Sequence, residues 1–121
     1  MAAKATQDAI RDAAKESCVI VGRNADYILR EEPGVFRIFV TAETEQRVER
    51  IVKRDDLTPE EAEKKMRRMD RARAANYNYY TGQEWGKADH YDLCLNFSTI
   101  PMEQAVTMVR LAISNEMEVT K

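Results

Sequence analysis

The chain has 121 residues, of which 44% are hydrophobic and 33% charged, and a net charge of −2 at pH 7. That length suits one small domain, which we expect to span residues 1–121. The charge balance gives no overall basic field and argues against a general nucleic-acid binder. No apolar run approaches the roughly 20 residues that cross a bilayer, and no hydrophobic signal region opens the sequence. We therefore expect a cytoplasmic protein without a membrane or nucleic-acid partner.

The first third of the chain alternates between helical and strand-like patterns. Residues 3–16 are alanine-rich and favour a helix. The run SCVIVG predicts a buried strand over about 17–21, and the β-branched, aromatic run VFRIFVTA predicts a second strand over about 36–41. Between them, ADYIL predicts a brief helical turn that Pro33-Gly34 ends.

The middle of the chain carries the clearest local signals. Thr44 is predicted to cap a helix with the sequence EQRVERIVKRD. Thr58, Pro59 and Glu61 then form a capping-box pattern at the start of a long helix, which we expect to run to about Tyr80.

A third strand is predicted over about 91–96, and Pro101 precedes a last helix. Strands that alternate with helices are typical of a parallel sheet covered by helices. The predicted fold class is therefore α/β, with three parallel strands flanked by helices.

The two cysteines fall inside strand-like runs. Cys18 and Cys94 are predicted to be reduced core residues of a cytoplasmic protein. No C-x-x-C pattern is present, and His90, the single histidine, has no partner at ligand spacing and is expected in a loop. No metal site is predicted.

Arg23 directly follows the glycine that ends the first predicted strand. Ligands of open α/β sheets sit beyond the carboxyl ends of the strands, and a guanidinium fork there suits two phosphate oxygens. The alternative is a solvated arginine in a loop.

Four cations lie on one stripe of the long predicted helix, at i, i+3, i+4 and i+7: Lys64, Arg67, Arg68 and Arg71. The stripe is either a solvated charged face or a surface that binds polyphosphate; a nucleic-acid helix is a weaker possibility. The opposite side of that helix should pack inward and consists of Ala62, Met66, Met69, Tyr77 and Tyr80.

Arg73 is predicted to point toward that inward side, where a buried arginine needs a partner. Asp26, Asp70 or a ligand could fill that role. Tyr79 and Trp85, from the aromatic run NYNYYTGQEW, are candidates for stacking on a nucleobase, although such clusters more often pack a helix end onto a sheet.

Four stretches together carry a family resemblance: CVIVGRNADYIL, FRIFVTAETEQRVERI, RRMDRARAANYNYYTGQEWG and YDLCLNFS. In this order and spacing they resemble the cytidylate-kinase-like branch of the P-loop nucleoside monophosphate kinases. The resemblance covers the chain from Ile10 onward and corresponds to the C-terminal two-thirds of such a kinase. It implies a partial P-loop kinase fold with a lid segment over about 55–86.

The resemblance also implies roles for individual residues. Arg23 looks like the arginine that binds the phosphate of the acceptor CMP, and Arg68 and Arg71 look like lid arginines that contact ATP phosphates during phosphoryl transfer. The other substrate-binding candidates are Asn24, Asp26 and Arg73. Two departures leave the base open: the first site is Val21-Gly22-Arg23-Asn24 rather than D-G-R-D, and an acidic lid position is Ala72.

The glycine-rich phosphate loop of these kinases has no counterpart in this sequence, whose four glycines are widely separated. ATP and Mg²⁺ are therefore expected in the complete family member, with neither bound tightly here. We expect a truncated chain that is inactive alone, or else a non-catalytic module for oligomeric interaction or anion binding.

The resemblance places the family's first strand between the strands of 17–21 and 36–41. Without it, the edge of 17–21 must find another partner. We expect either direct pairing of 17–21 with 36–41, in a compact three-stranded sheet, or a homodimer.

Overall fold

The computed structural model describes the backbone of residues 2–119 and the side chains of residues 4–114. Over that range the chain is a mixed α/β structure with five α-helices and one two-stranded parallel sheet. The elements in chain order are α1 (Ala2–Ala13), α2 (Ala25–Ile28), β1 (Ile38–Thr41), α3 (Thr44–Asp55), α4 (Pro59–Thr81), a 3₁₀ turn (Ala88–His90), β2 (Leu93–Asn96) and α5 (Met102–Val119). None of the described helices combines the length and the apolar character needed to cross a bilayer.

The sheet pairs β1 with β2 in parallel, and Ile38 lies opposite Leu93. This confirms the parallel arrangement expected for 36–41 and 91–96, although both strands are shorter than predicted. The Asp92 carboxylate accepts the backbone N–H of Arg37 at 2.7 Å just before the ladder begins. A side chain therefore takes the place of a ladder hydrogen bond there, and β1 starts at Ile38.

The strand predicted over about 17–21 is not formed in the described structure. Residues 18–21 have no regular secondary structure, and the only described sheet contains β1 and β2. Val19 is 92% exposed and Val21 87% exposed, whereas Ile20 packs against the cluster between α1 and α2. The predicted pairing with 36–41 is wrong, because an apolar run becomes a strand only where a neighbour completes its hydrogen bonds.

Two separate apolar clusters hold α1 to α2 and α3 to α4. The first contains Ile10 of α1 with Ala25 and Leu29 at α2, and it seats the short helix beside the long one. The second joins α3 to the start of α4 through buried side chains, which are Ile51, Ala62 and Met66. The chain thus has a small core beside each helix pair.

The start of α4 forms as the sequence predicts. Thr58 Oγ1 accepts the Glu61 N–H at 3.2 Å, and Glu61 Oε1 accepts the Thr58 N–H at 3.1 Å. The helix ends at Thr81, and Gly82 adopts a left-handed conformation with φ of 70°, which favours glycine. The prediction for α3 is wrong at its first residue, because Glu43 is its N-cap and Thr44 already lies inside the helix.

Three further expectations about burial need correction. Ala62, Met66 and Tyr77 are buried as predicted, but Tyr80 is 49% exposed, because the last turns of α4 border an open cavity rather than a core. Cys18 and Cys94 are free thiols and both are exposed, not core residues. Cys18 lies on the segment that is not a strand, so nothing in the described structure covers it.

Candidate functional site

The loop that carries the predicted phosphate arginine has an unusual backbone. Gly22, Arg23 and Asn24 have φ values of 69°, 61° and 58° and are all left-handed. Such a conformation costs a residue with a side chain about 1–2 kcal/mol. The Ala25 N–H donates to the Gly22 carbonyl at 3.2 Å, which closes the loop onto α2. Strain of this kind is concentrated at functional sites.

Arg23 and Asn24 line a cavity of about 390 Å³. Its walls come from α1, the arginine loop, α2 and the end of α4. The other lining residues are Thr6, Gln7, Arg11, Tyr27, Ile28, Arg30, Asn76, Tyr80 and Thr81. Among the described residues no carboxylate lines this cavity, whereas three arginines do. The cavity is therefore positively charged and otherwise lined mainly by amides and hydroxyls, a composition suited to a phosphorylated ligand.

A smaller cavity of about 90 Å³ lies beside the first, and Tyr27 and Arg30 line both. Asp26 faces this second cavity and accepts a hydrogen bond from the Tyr77 hydroxyl at 2.9 Å. Burial and the adjacent carboxylate hold the pKa of Tyr77 well above its ordinary value. Asp26 therefore anchors α2 to α4 and is placed apart from the larger cavity.

Arg68 and Arg71 project from the exposed face of α4. Neither lines either of the two cavities, and neither has an ion-pair partner in the described part of the chain. Their stripe neighbours differ: Arg67 donates to Glu63 at 2.8 Å, and Lys64 lies 4.0 Å from Glu60. The structure thus places Arg23 at a cavity and leaves the two predicted lid arginines on a solvated surface.

Arg73 does not point inward as predicted; it is exposed and donates to Oδ1 of Asp70 at 3.1 Å. Asp70 is one of its three expected partners. The same carboxylate accepts two hydrogen bonds from Arg47 of α3, at 2.7 and 2.8 Å. These cations lower the pKa of Asp70. Arg73 therefore belongs to a three-residue ionic link between α3 and α4, and its other partner candidate, Asp26, is bound to Tyr77.

The two stacking candidates occupy different surroundings. Trp85 packs edge-on against Phe39 of β1, with ring centroids 5.6 Å apart, and its backbone N–H donates to Asn78 Oδ1 at 2.8 Å. Tyr79 is 81% exposed and contacts only Tyr80 among the described aromatic rings. The geometry of Trp85 fits the packing alternative, and Tyr79 remains open to solvent.

Several groups of the larger cavity were not predicted from the sequence. Arg11 and Arg30 bring two further guanidiniums, and Asn76 accepts a hydrogen bond of 3.3 Å from Asn24. Of these, only Arg11 has a sequence signal, because its i, i+4 spacing from Gln7 places both residues on one face of α1. The sequence does not show that this face lines a cavity, because that depends on the packing of α1 beside the loop.

Comparison with known proteins identifies the family of the chain. Residues 1–99 match the cytidylate kinase-like family. The chain therefore belongs to the cytidylate kinase-like family, as the sequence resemblance indicated.

Two relatives share most of this chain but are longer proteins. A crystal structure of an uncharacterized protein from Eubacterium ventriosum superimposes with a TM-score of 0.89 and 29% identity, covering 93% of this chain and 65% of that one. A uronate isomerase from Corynebacterium glutamicum is 30% identical over 109 residues, which are 90% of this chain and 21% of that protein. The chain thus spans about a fifth of the curated relative and under two thirds of the solved structure.

Proposed function

We propose that this chain supplies the acceptor-phosphate site of a nucleotide kinase that transfers a phosphoryl group from ATP to CMP or a related nucleoside monophosphate. The observation that carries the proposal is the position of Arg23, on a strained loop at a cavity of about 390 Å³ with no described carboxylate in its lining. In the reaction the γ-phosphoryl group passes from ATP to an oxygen of the acceptor phosphate, giving ADP and a nucleoside diphosphate.

The chemistry asks the protein for position and fixed charge rather than for a covalent intermediate. Arg23 offers a planar fork for two oxygens of the acceptor phosphate. Asn24 lies beside it and is held by Asn76 of α4. The loop and α4 therefore keep a fixed relationship, and α4 is the helix that carries Arg68 and Arg71, which we propose as the charges that stabilise the transferring group.

The sequence has no glycine-rich loop of the kind that cradles the phosphates of a donor nucleotide. The four glycines lie far apart in the sequence, and no group of three or more potential metal ligands occurs among the described side chains. We propose that ATP and Mg²⁺ act in the complete family member and that neither binds tightly to these 121 residues.

The test is a phosphotransfer assay with ATP and CMP, run on the 121-residue chain and on a version that also carries the N-terminal part of a family member with a glycine-rich loop. We expect turnover only in the extended protein, and its loss on Arg23→Gln. Phosphotransfer by the short chain would disprove its inactivity, and an inactive extended protein that nevertheless binds both nucleotides would disprove the kinase assignment.

A second candidate is a non-catalytic homodimeric module that binds anions at Arg23. The observation that favours it is the exposure of Val19 and Val21, which leaves an apolar segment uncovered. The uronate isomerase from Corynebacterium glutamicum carries a similar stretch, which also fits a module separable from kinase activity. This candidate predicts a defined dimer and phosphate binding without turnover even in the extended protein.

A further inference from the structure

We propose that Arg11 of α1 is a second phosphate-binding residue of the larger cavity, acting with Arg23 on the same phosphate monoester. The ligand's identity as a nucleoside monophosphate rests on the proposed function. The role of Arg11 rests on the geometry of α1, which is independent of it.

The packing of α1 sets the direction of this arginine. Ile10 is 6% exposed and is buried against Ala25 and Leu29, so the rotation of α1 about its axis is fixed. With Ile10 facing the cluster, Gln7 and Arg11 line the cavity side by side, four residues apart on the helix.

Arg11 is not neutralised within the described structure. No described carboxylate lies within ion-pair distance of it, and the neighbouring Asp12 pairs with Lys15 at 3.3 Å. An arginine in the last turn of a helix also stabilises the helix end. The test must therefore separate binding from helix stability.

Arg30 supplies a third, pre-oriented charge. Its guanidinium carbon lies 3.9 Å from the centre of the Tyr27 ring, and Nη1 donates to the Tyr27 carbonyl at 2.8 Å. These contacts fix the group where the two cavities adjoin. Arg30 is thus positioned before any ligand arrives, whereas Arg11 and Arg23 keep their forks free.

Three guanidiniums suit one ligand chemistry in particular. A phosphate monoester carries a charge of about −1.5 to −2 at pH 7 and three acceptor oxygens. Two arginine forks with a third cation nearby match that charge. A carboxylate ligand, with a single negative charge, would leave most of the positive charge of the three arginines unbalanced. The amide and hydroxyl groups of the remaining wall, in a cavity of about 390 Å³, leave room for the nucleoside.

The experiment measures binding of CMP, cytidine and inorganic phosphate to the 121-residue chain by calorimetry, with thermal melting of each variant as a folding check. We expect Arg11→Gln to weaken CMP and phosphate binding by roughly tenfold or more, since hydrogen bonds to charged groups are lost. Cytidine binding should not change. The matched control is Arg50→Gln, an exposed arginine of α3 that lines neither cavity, which should bind CMP like the parent.

Arg11→Lys separates the two roles of the residue. It keeps the helix-end charge but removes the fork, so the melting temperature should stay near that of the parent while CMP affinity falls several-fold. If both Arg11 variants bind CMP as tightly as the parent and Arg23→Gln does not, the role of Arg11 is disproved and the proposed function stands. If both Arg11 variants lose phosphate binding and the extended protein shows no phosphotransfer, the role of Arg11 is supported and the kinase function is disproved. A parent chain that binds neither CMP nor phosphate disproves the inference.

Discussion

The Tyr77 hydroxyl donates a 2.9 Å hydrogen bond to Oδ2 of Asp26 and so joins α4 to the short helix that follows the arginine loop. One residue earlier on α4, Asn76 accepts the side-chain N–H of Asn24 at 3.3 Å. Two adjacent residues of α4 therefore hold both ends of the segment from Asn24 to Asp26. The strained loop that presents Arg23 is therefore held by α4 as well as by its own hydrogen bond from Ala25 to Gly22.

Tyr77→Phe should destabilise the protein by about 1–2 kcal/mol at pH 7, because the half-buried Asp26 loses its donor. Burial and the Asp26 carboxylate raise the pKa of Tyr77 in the folded state. This part of the stability is fully present below the ordinary tyrosine pKa of 10.0 and is lost as the pH rises through the higher folded value. The difference in free energy of unfolding between parent and variant, measured in urea, should therefore become smaller above about pH 10. Tyr79→Phe, at an exposed tyrosine, is the control and should show no such narrowing; a constant gap for Tyr77→Phe would count against the contact.

Arg23→Gly should separate stability from binding. An L-residue at φ 61° is strained, whereas glycine accepts that conformation but loses more backbone freedom on folding. We expect Arg23→Gly to be more stable than Arg23→Gln by about 0.5 kcal/mol, with both variants equally unable to bind phosphate. Chemical denaturation and calorimetry measure the two effects. A glycine variant less stable than the glutamine variant would show that the loop is not strained at this position.

Some elements were predictable because their causes are local. The capping box at Thr58 and Glu61 and the end of α4 near Tyr80 each depend on residues close in the sequence, and both predictions are confirmed. The segment 17–21 has an equally apolar sequence, yet it is not a strand, because strand formation depends on a neighbour that sequence periodicity does not supply.

The residues of the candidate site also differ in whether the sequence alone could predict them. Arg23 was predicted from its position after Gly22, and it lies at the cavity. Arg11 and Arg30 were missed because they reach the cavity from different elements, brought together by the burial of Ile10. The predicted direction of Arg73 was wrong because its side chain binds the Asp70 carboxylate, three residues away, and therefore does not lie on the apolar side of α4.

Asp70→Asn should loosen the link between α3 and α4 and cost about 1 kcal/mol at pH 7, the upper range for a partly exposed ion pair. The bidentate contact with Arg47 lowers the pKa of Asp70 from its ordinary 3.8. The stability from this carboxylate is present above that ordinary value and is lost as the pH falls through the lower folded value. The free energies of unfolding of parent and variant, measured in urea, should approach each other below about pH 4. Asp12→Asn, which removes an exposed pair with Lys15, is the control and should have no measurable effect.

The proposed homodimer can be tested through Cys18, which is exposed and adjoins the 92%-exposed Val19. If a second copy covers residues 18–21, the thiol becomes shielded as the dimer forms, because burying exposed apolar segments against each other is more favourable than leaving them in water. In a Cys94→Ser background, we expect the rate of thiol labelling at Cys18 to fall several-fold as protein concentration rises, alongside a monomer-to-dimer shift in sedimentation velocity. Val19→Lys places a charge in that contact and should keep the chain monomeric with a concentration-independent rate. A parent protein that sediments as a monomer at every concentration, with Cys18 always fully reactive, would show that this segment has no partner in a second copy.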